Sequence, residues 1–133
     1  MLDQRNHARR TVALLAAILV MVLLACGLAY AVTTQVCDKP TCEGDDGRNN
    51  LIGTQIDNTI YGYGRTDTIT DTARIDKDVI YAGRSNDVIN VKEGTDNPHD
   101  ADYIRCSIGY DTVYYDRGVD AVSDCELRNP VSP

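Results

Sequence analysis

The chain has 133 residues, with 17 Asp against 3 Glu, 8 Tyr but no Phe or Trp, and 5 Cys; it has room for one small domain, which excludes a large enzyme. Its formal charge of −7 hides a split, because residues 1–31 hold three Arg and one acid, whereas the remainder holds ten Lys and Arg against nineteen Asp and Glu, a net −9. Such a surface repels phosphate backbones and anionic lipid headgroups, so it disfavours nucleic acid and membrane surfaces as partners and favours cations.

Residues 1–31 read as an export signal. Arg5, His7, Arg9 and Arg10 form a basic start, Thr11 to Ala31 carry no charge, and the stretch ends in the small-x-small triplet Ala29, Tyr30, Ala31. This pattern predicts an apolar N-terminal helix, a signal peptide cleaved after Ala31. Two alternatives stay open. Leu23, Leu24, Ala25, Cys26 and Gly27 resemble a lipobox that would acylate Cys26, and an apolar run of about 20 residues can also remain as an anchor, with the arginines holding its start in the cytoplasm. All three place residue 40 onward outside the cytoplasm, secreted or at the cell surface.

Past the leader, Cys37, Cys42, Cys106 and Cys125 are an even number, which in a small exported chain predicts two disulfides. Zinc needs tight C-x2-C-like spacings that these four do not supply.

Between residues 47 and 126 the chain repeats. The unit is Asp or Asn, any residue, then Ile or Val, found as Asn50-Leu-Ile52, Asn58-Thr-Ile60, Asp67-Thr-Ile69, Asp78-Val-Ile80, Asp87-Val-Ile89, Asp102-Tyr-Ile104, Asp111-Thr-Val113 and Asp120-Ala-Val122. Successive aliphatic residues are 8, 9, 11, 9, 15, 9 and 9 apart, so nine dominates, and the two long steps mark loop insertions at Asp71 to Lys77 and Val91 to Ala101. Each unit joins a β-favouring patch such as Thr59-Ile60-Tyr61 to a stretch of turn formers.

These units resemble eroded copies of the G-G-x-G-x-D-x-U-x nonapeptide of the RTX, or haemolysin-type calcium-binding, repeat family. The closing segment is similar to that of small exported bacterial proteins of this kind through Cys106, Gly109, Asp111, Val113, Asp116, Asp120, Val122, Asp124, Cys125 and Glu126. The resemblance implies an all-β fold: a short right-handed parallel β-roll of about four turns, two units per turn, with Ca²⁺ held in the turns between rungs. Residues 32–46 would then be an N-terminal cap and 127–133 a tail.

In such a roll each three-residue strand pairs with the rungs above and below at ~4.8 Å. Ile52, Ile69, Ile89 and Val113 are expected on one inner face, with Ile60, Ile80, Ile104 and Val122 on the other. Burying each contributes roughly 1.5–3 kcal/mol, which scarcely exceeds the ordering entropy of so short a chain, so metal and disulfides are needed as staples. Cys106 and Cys125 are 19 residues apart, close to one 18-residue turn of such a roll, and should bridge adjacent rungs. Cys37 with Cys42 would close a small loop over the first rung.

Calcium takes six to eight oxygen ligands, from carboxylates, carbonyls and water. Two units per turn would put Asn50, Asp67, Asp87 and Asp111 along one edge and Asn58, Asp78, Asp102 and Asp120 along the other. Asp67, Asp87, Asp111, Asp120, Asp78 and Asp102 are the expected Ca²⁺ ligands. Against this, Asp and Asn also favour turns without metal, and glycines of the repeat are lost: Gly62-Tyr-Gly-Arg-Thr66 precedes Asp67, Ala82-Gly-Arg-Ser-Asn86 precedes Asp87, and no glycine precedes Asp78. Arg65, Arg84 and Arg117 fall in turns where they would offset the acid columns. His7 belongs to the leader and His99 to an acidic insertion, and no nucleophile has a recognisable base. The expectation is an exported, non-catalytic calcium-binding roll. The rival is a metal-independent structural or adhesive solenoid, for which an outward tyrosine ladder would serve.

Overall fold

The computed structural model describes residues 31–94 and 98–131. The expected leader, with its apolar helix, its lipidation alternative at Cys26 and most of its cleavage signal, lies outside the described residues. From Val32 onward eleven strands follow: β1 (Val32–Val36), β2 (Thr41–Glu43), β3 (Arg48–Ile52), β4 (Thr59–Tyr61), β5 (Thr68–Thr70), β6 (Val79–Arg84), β7 (Val88–Asn90), β8 (Tyr103–Ile108), β9 (Thr112–Asp116), β10 (Ala121–Ser123) and β11 (Leu127–Val131). A single 3₁₀ turn at Pro98–Asp100 precedes β8.

Odd-numbered strands form one sheet in the order β1-β3-β5-β7-β9-β11, and even-numbered strands form a second in the order β10-β8-β6-β4-β2. Every pairing is parallel, as successive coils of one winding require. The result is a parallel β-solenoid of about five turns, one more than the repeat count indicates. The extra rungs come from both ends: the segment expected to cap the stack supplies β1 and β2, and the expected tail supplies β11.

The period of two along each strand selects which side chains enter the core. In the first sheet Leu51, Ile69, Ile89 and Val113 stack in register and are buried. In the second, Cys42, Ile60, Ile80 and Ile104 do the same, with Val122 half-buried at the end. The core is thus one side chain deep from each sheet. Neighbouring rungs supply most of the contacts of each member, so no rung is stable alone.

The first repeat is offset by one residue from its expected register. Leu51, not Ile52, lies opposite Ile69, while Ile52 pairs with Thr70 and is only half-buried. A one-residue slip exchanges the two faces of a strand, so Asn49 replaces Asn50 in the edge column. The reason is in the spacing: from Leu51 to Ile60 the step is nine, whereas from Ile52 it is eight.

Both disulfides pair as expected. Cys37–Cys42 has its Cα atoms 5.2 Å apart and closes the turn between β1 and β2. Cys106–Cys125 spans 5.1 Å and ties β8 to the start of the last turn. On the outside of the second sheet Tyr61 stacks on Tyr81 with ring centroids 5.1 Å apart, so the tyrosines do form a rung-to-rung stack there.

Candidate metal centre

Two edges join the sheets. Turns leading into odd-numbered strands form a narrow edge; turns leading into even-numbered strands form a wide edge that includes residues 71–78 and 91–102.

Each edge is threaded by a ladder of carboxylates. On the narrow edge the Asn49 N–H donates to Asp67 Oδ1, the Asp67 N–H to Asp87 Oδ1 and the Asp87 N–H to Asp111 Oδ1, all at 2.8 Å, and the Asp111 N–H ends the series on Glu126 at 2.9 Å. On the wide edge the Asn58 N–H donates to Asp78 and the Asp78 N–H to Asp102 at 2.8 Å, with the Asp102 N–H on Asp120 at 3.1 Å. Every rung therefore hands one backbone donor to a side chain of the next. The column residue is short because it must reach 4.8 Å along the stack without leaving the turn. Asn suffices at the first rung, where its side chain instead binds the preceding turn: Asn49 Nδ2 donates to Asp45 and Asn58 Nδ2 to the Lys39 carbonyl.

This use of Oδ1 leaves the second oxygen. Oδ2 of Asp67, Asp78, Asp87 and Asp111 is buried without a hydrogen-bond partner. Burial pushes Asp67 up to about 6 and Asp87 to about 7, against the lowering effect of the ladder N–H groups, and it raises Asp111.

The wide edge adds acids outside the ladder. Asp71, Asp76 and Asp78 bring one carboxylate oxygen each to within 4.8 Å of the others. All three are buried, and the Oδ2 atom of each has no partner. Asp71 continues the inward alternation of β5, two residues past Ile69, and its other oxygen accepts the Ala73 N–H at 2.8 Å. Gly53 on the preceding rung makes room, since a Cβ there would collide with the Asp71 carboxylate. Asp76 and Asp78 return from the insertion on the opposite wall. Burial, then the neighbouring Asp71 carboxyl, drives Asp78 far above the usual carboxylate range; burial and the Asp71 charge hold Asp76 near 6. Burial, with smaller contributions from neighbouring acids, raises Asp102 to about 7, and it also raises Asp120.

Carboxylates so placed repel one another when ionised, and only protons or a cation relieve that repulsion. The trio is a group that could hold a metal ion, and its donors are all oxygen, the set that hard cations select.

Of the six aspartates expected as ligands, Asp78 alone joins this trio. Asp102 and Asp120 share its edge, whereas Asp67, Asp87 and Asp111 lie on the opposite one. Asp71 and Asp76 were hidden by the insertion, although three acids within the eight residues 71–78 were visible. Arg65, Arg84 and Arg117 are exposed and form no ion pair with the column acids among the described residues; Arg105 instead pairs with Asp124 at 3.0 Å. His99 is exposed in the wide-edge insertion.

No protein-family model matches the chain, and no curated protein or solved structure is significantly similar to it.

Proposed function

We propose that this is an exported, non-catalytic calcium-binding β-roll, with Ca²⁺ held by aspartates in the turns of its wide edge. The observation that carries the reading is the trio Asp71, Asp76 and Asp78: three buried carboxylates converging within 4.8 Å, each with an oxygen that nothing among the described residues satisfies. Ca²⁺ suits this set because it accepts irregular, all-oxygen coordination and completes its shell with carbonyls and water. The resemblance of the repeats to the RTX family supports the same ion. Two disulfides suit an oxidising compartment, which supports export and residence outside the cytoplasm, in solution or at the cell surface. Binding would couple to folding, since the ion removes a repulsion that the folded chain alone must bear.

Calorimetric titration of the full-length chain with Ca²⁺ tests this. Expected are a binding heat and a higher melting temperature, both weakened at least tenfold in apparent affinity by Asp71→Asn with Asp76→Asn. Identical melting in Ca²⁺ and in chelator, with no heat, would sink the proposal.

One observation favours a second reading, a metal-independent structural or adhesive solenoid. The Oδ1 ladders already tie every rung to the next, and the Tyr61–Tyr81 stack presents a rigid aromatic surface of the kind that binds flat apolar partners. The same titration separates the two readings.

A further inference from the structure

Beyond the trio, the wide edge buries three more acids that the ladders do not use, Glu93, Asp100 and Asp116, and two of them keep an unpartnered oxygen. Glu93 lies in the turn after β7 and is 8 % exposed; Asp116 ends β9 and is fully buried. Asp116 Oδ2 is clamped by two backbone donors, the Glu93 N–H at 2.9 Å and the Gly94 N–H at 2.8 Å. That clamp fixes the carboxylate plane, and it leaves Asp116 Oδ1 buried with no partner. Glu93 Oε2 is likewise buried with no partner. Asp120 joins the group from the next turn, accepting the Asp116 N–H at 2.7 Å on one oxygen and the Asp102 N–H at 3.1 Å on the other. The charges of Asp102, Asp120 and Asp116, and to a smaller extent Asp71, act on the buried Glu93 carboxyl.

We propose that Glu93 and Asp116, flanked by Asp102 and Asp120, form a second hard-cation site on the wide edge, further along the stack than Asp71, Asp76 and Asp78. The inference rests on the reading of that edge as cation-binding but uses no side chain of the first site. Among the described residues no Lys or Arg forms an ion pair with Glu93 or Asp116. The orphaned atoms of the group are acceptors, and no side-chain donor reaches either of them among the described residues. A proton on Glu93 would add a buried O–H that needs an acceptor of its own, whereas an ion accepts lone pairs from both carboxylates at once. The oxygen-only set and irregular turn geometry suit Ca²⁺ over Mg²⁺, which demands a near-ideal octahedron.

Equilibrium dialysis of the full-length chain against Ca²⁺, with bound metal counted per chain, tests the assignment. Two ions are expected in the unchanged protein. Glu93→Gln should release one and leave the ion lost in Asp71→Asn with Asp76→Asn. Glu93→Gln is the informative variant because no described residue hydrogen-bonds the Glu93 Oε2 atom, whereas Asp116→Asn disturbs the clamp on two backbone donors; circular dichroism would verify that either variant keeps its strands. An unchanged ion count and affinity in Glu93→Gln overturns the second site while the first stands. An ion removed by Glu93→Gln but retained in Asp71→Asn with Asp76→Asn keeps the second site and overturns the first. No bound ion in the unchanged protein overturns both.

Discussion

Along the narrow edge, the buried acids serve the ladder. Asp67, Asp87 and Asp111 follow one another directly up the stack, each taking the backbone N–H of the rung before it. Along the wide edge the same ladder runs through Asp78 and Asp102, but longer turns carry Asp71, Asp76 and Glu93 in behind it, and Asp116 joins them from the end of β9. The difference teaches what a turn's length decides. A tight turn has room for the one carboxylate that satisfies the backbone. An inserted turn can fold further acids inward, where each keeps a buried oxygen without a hydrogen-bond partner among the described residues. The cost is electrostatic, and it falls mostly on the wide edge.

The largest expected effect follows from the raised carboxyl groups. Asp67, Asp87 and Asp102 have folded-state values near 6, 7 and 7, above the ordinary 3.8. For such groups the folded chain binds protons more tightly than the unfolded chain. Their stabilising contribution is therefore complete below about pH 4 and is lost as pH rises through 6 to 7. In chelator, the melting temperature should fall by about 10 °C or more between pH 5 and pH 8. Calcium should restore the part owed to the wide edge and leave the decline owed to Asp67 and Asp87. Thermal melts at several pH values, with and without Ca²⁺, check this. A chelated protein that is more stable at pH 8 than at pH 5 would show that the buried acids are not the controlling charges.

The disulfides offer the next test, since one lies at each edge. Cys106–Cys125 joins positions 19 apart near the narrow edge, and its loss should cost about 3 kcal/mol; Cys37–Cys42, 5 apart on the wide edge, should cost about 2 kcal/mol on the same chain-entropy argument. Denaturant melts of the paired Cys→Ala variants measure both. Smaller again is the ladder itself. Asp87→Ala leaves the buried Asp67 N–H without an acceptor and should cost about 2 kcal/mol. Asp87→Asn keeps an Oδ1 acceptor while removing the charge, so at pH 8 it should match or exceed the unchanged protein. If both variants lose equally, the narrow-edge carboxylates act through charge and not through the hydrogen bond.

Much of this architecture could be read from the nine-residue step, because a solenoid repeats the same physical demand at each rung. An aliphatic residue must enter, and an acid two positions earlier must meet the backbone. Ile60, Ile69, Ile80, Ile89, Ile104 and Val113 are all where the period puts them. Asn49-Asn50-Leu51-Ile52 defeated the pattern because it satisfies the motif in two registers, and only the spacing to Ile60 discriminates them. The end rungs were invisible for a different reason. β2 enters the core with Cys42 instead of an aliphatic residue, and the narrow-edge ladder closes on Glu126 ahead of β11, so neither shows the tripeptide. Asp71, Asp76 and Glu93 were not legible because an insertion carries no period; Asp116, at the end of β9, stands outside the repeating tripeptide.

The smallest effect concerns the glycines that the repeats have lost. Tyr63, Arg65, Ser85, Ser107 and Asp124 all adopt positive φ, and each lies at the narrow-edge end of an even-numbered strand or in the turn that follows it. Gly83, at φ +108°, pairs with Ser107 at φ 85°, so the left-handed geometry is inherited from rung to rung whether or not glycine is present. A non-glycine residue there costs about 1–2 kcal/mol, and glycine returns part of that gain through the greater freedom of the unfolded chain. Ser85→Gly, at φ 87° with an exposed side chain, should therefore stabilise by about 0.5 kcal/mol in chemical denaturation, with or without calcium. Independence from calcium is the sharper half of the expectation. If Ser85→Gly instead strengthened Ca²⁺ binding, the narrow-edge turns would be holding an ion of their own, and the division of labour between the two edges would fail.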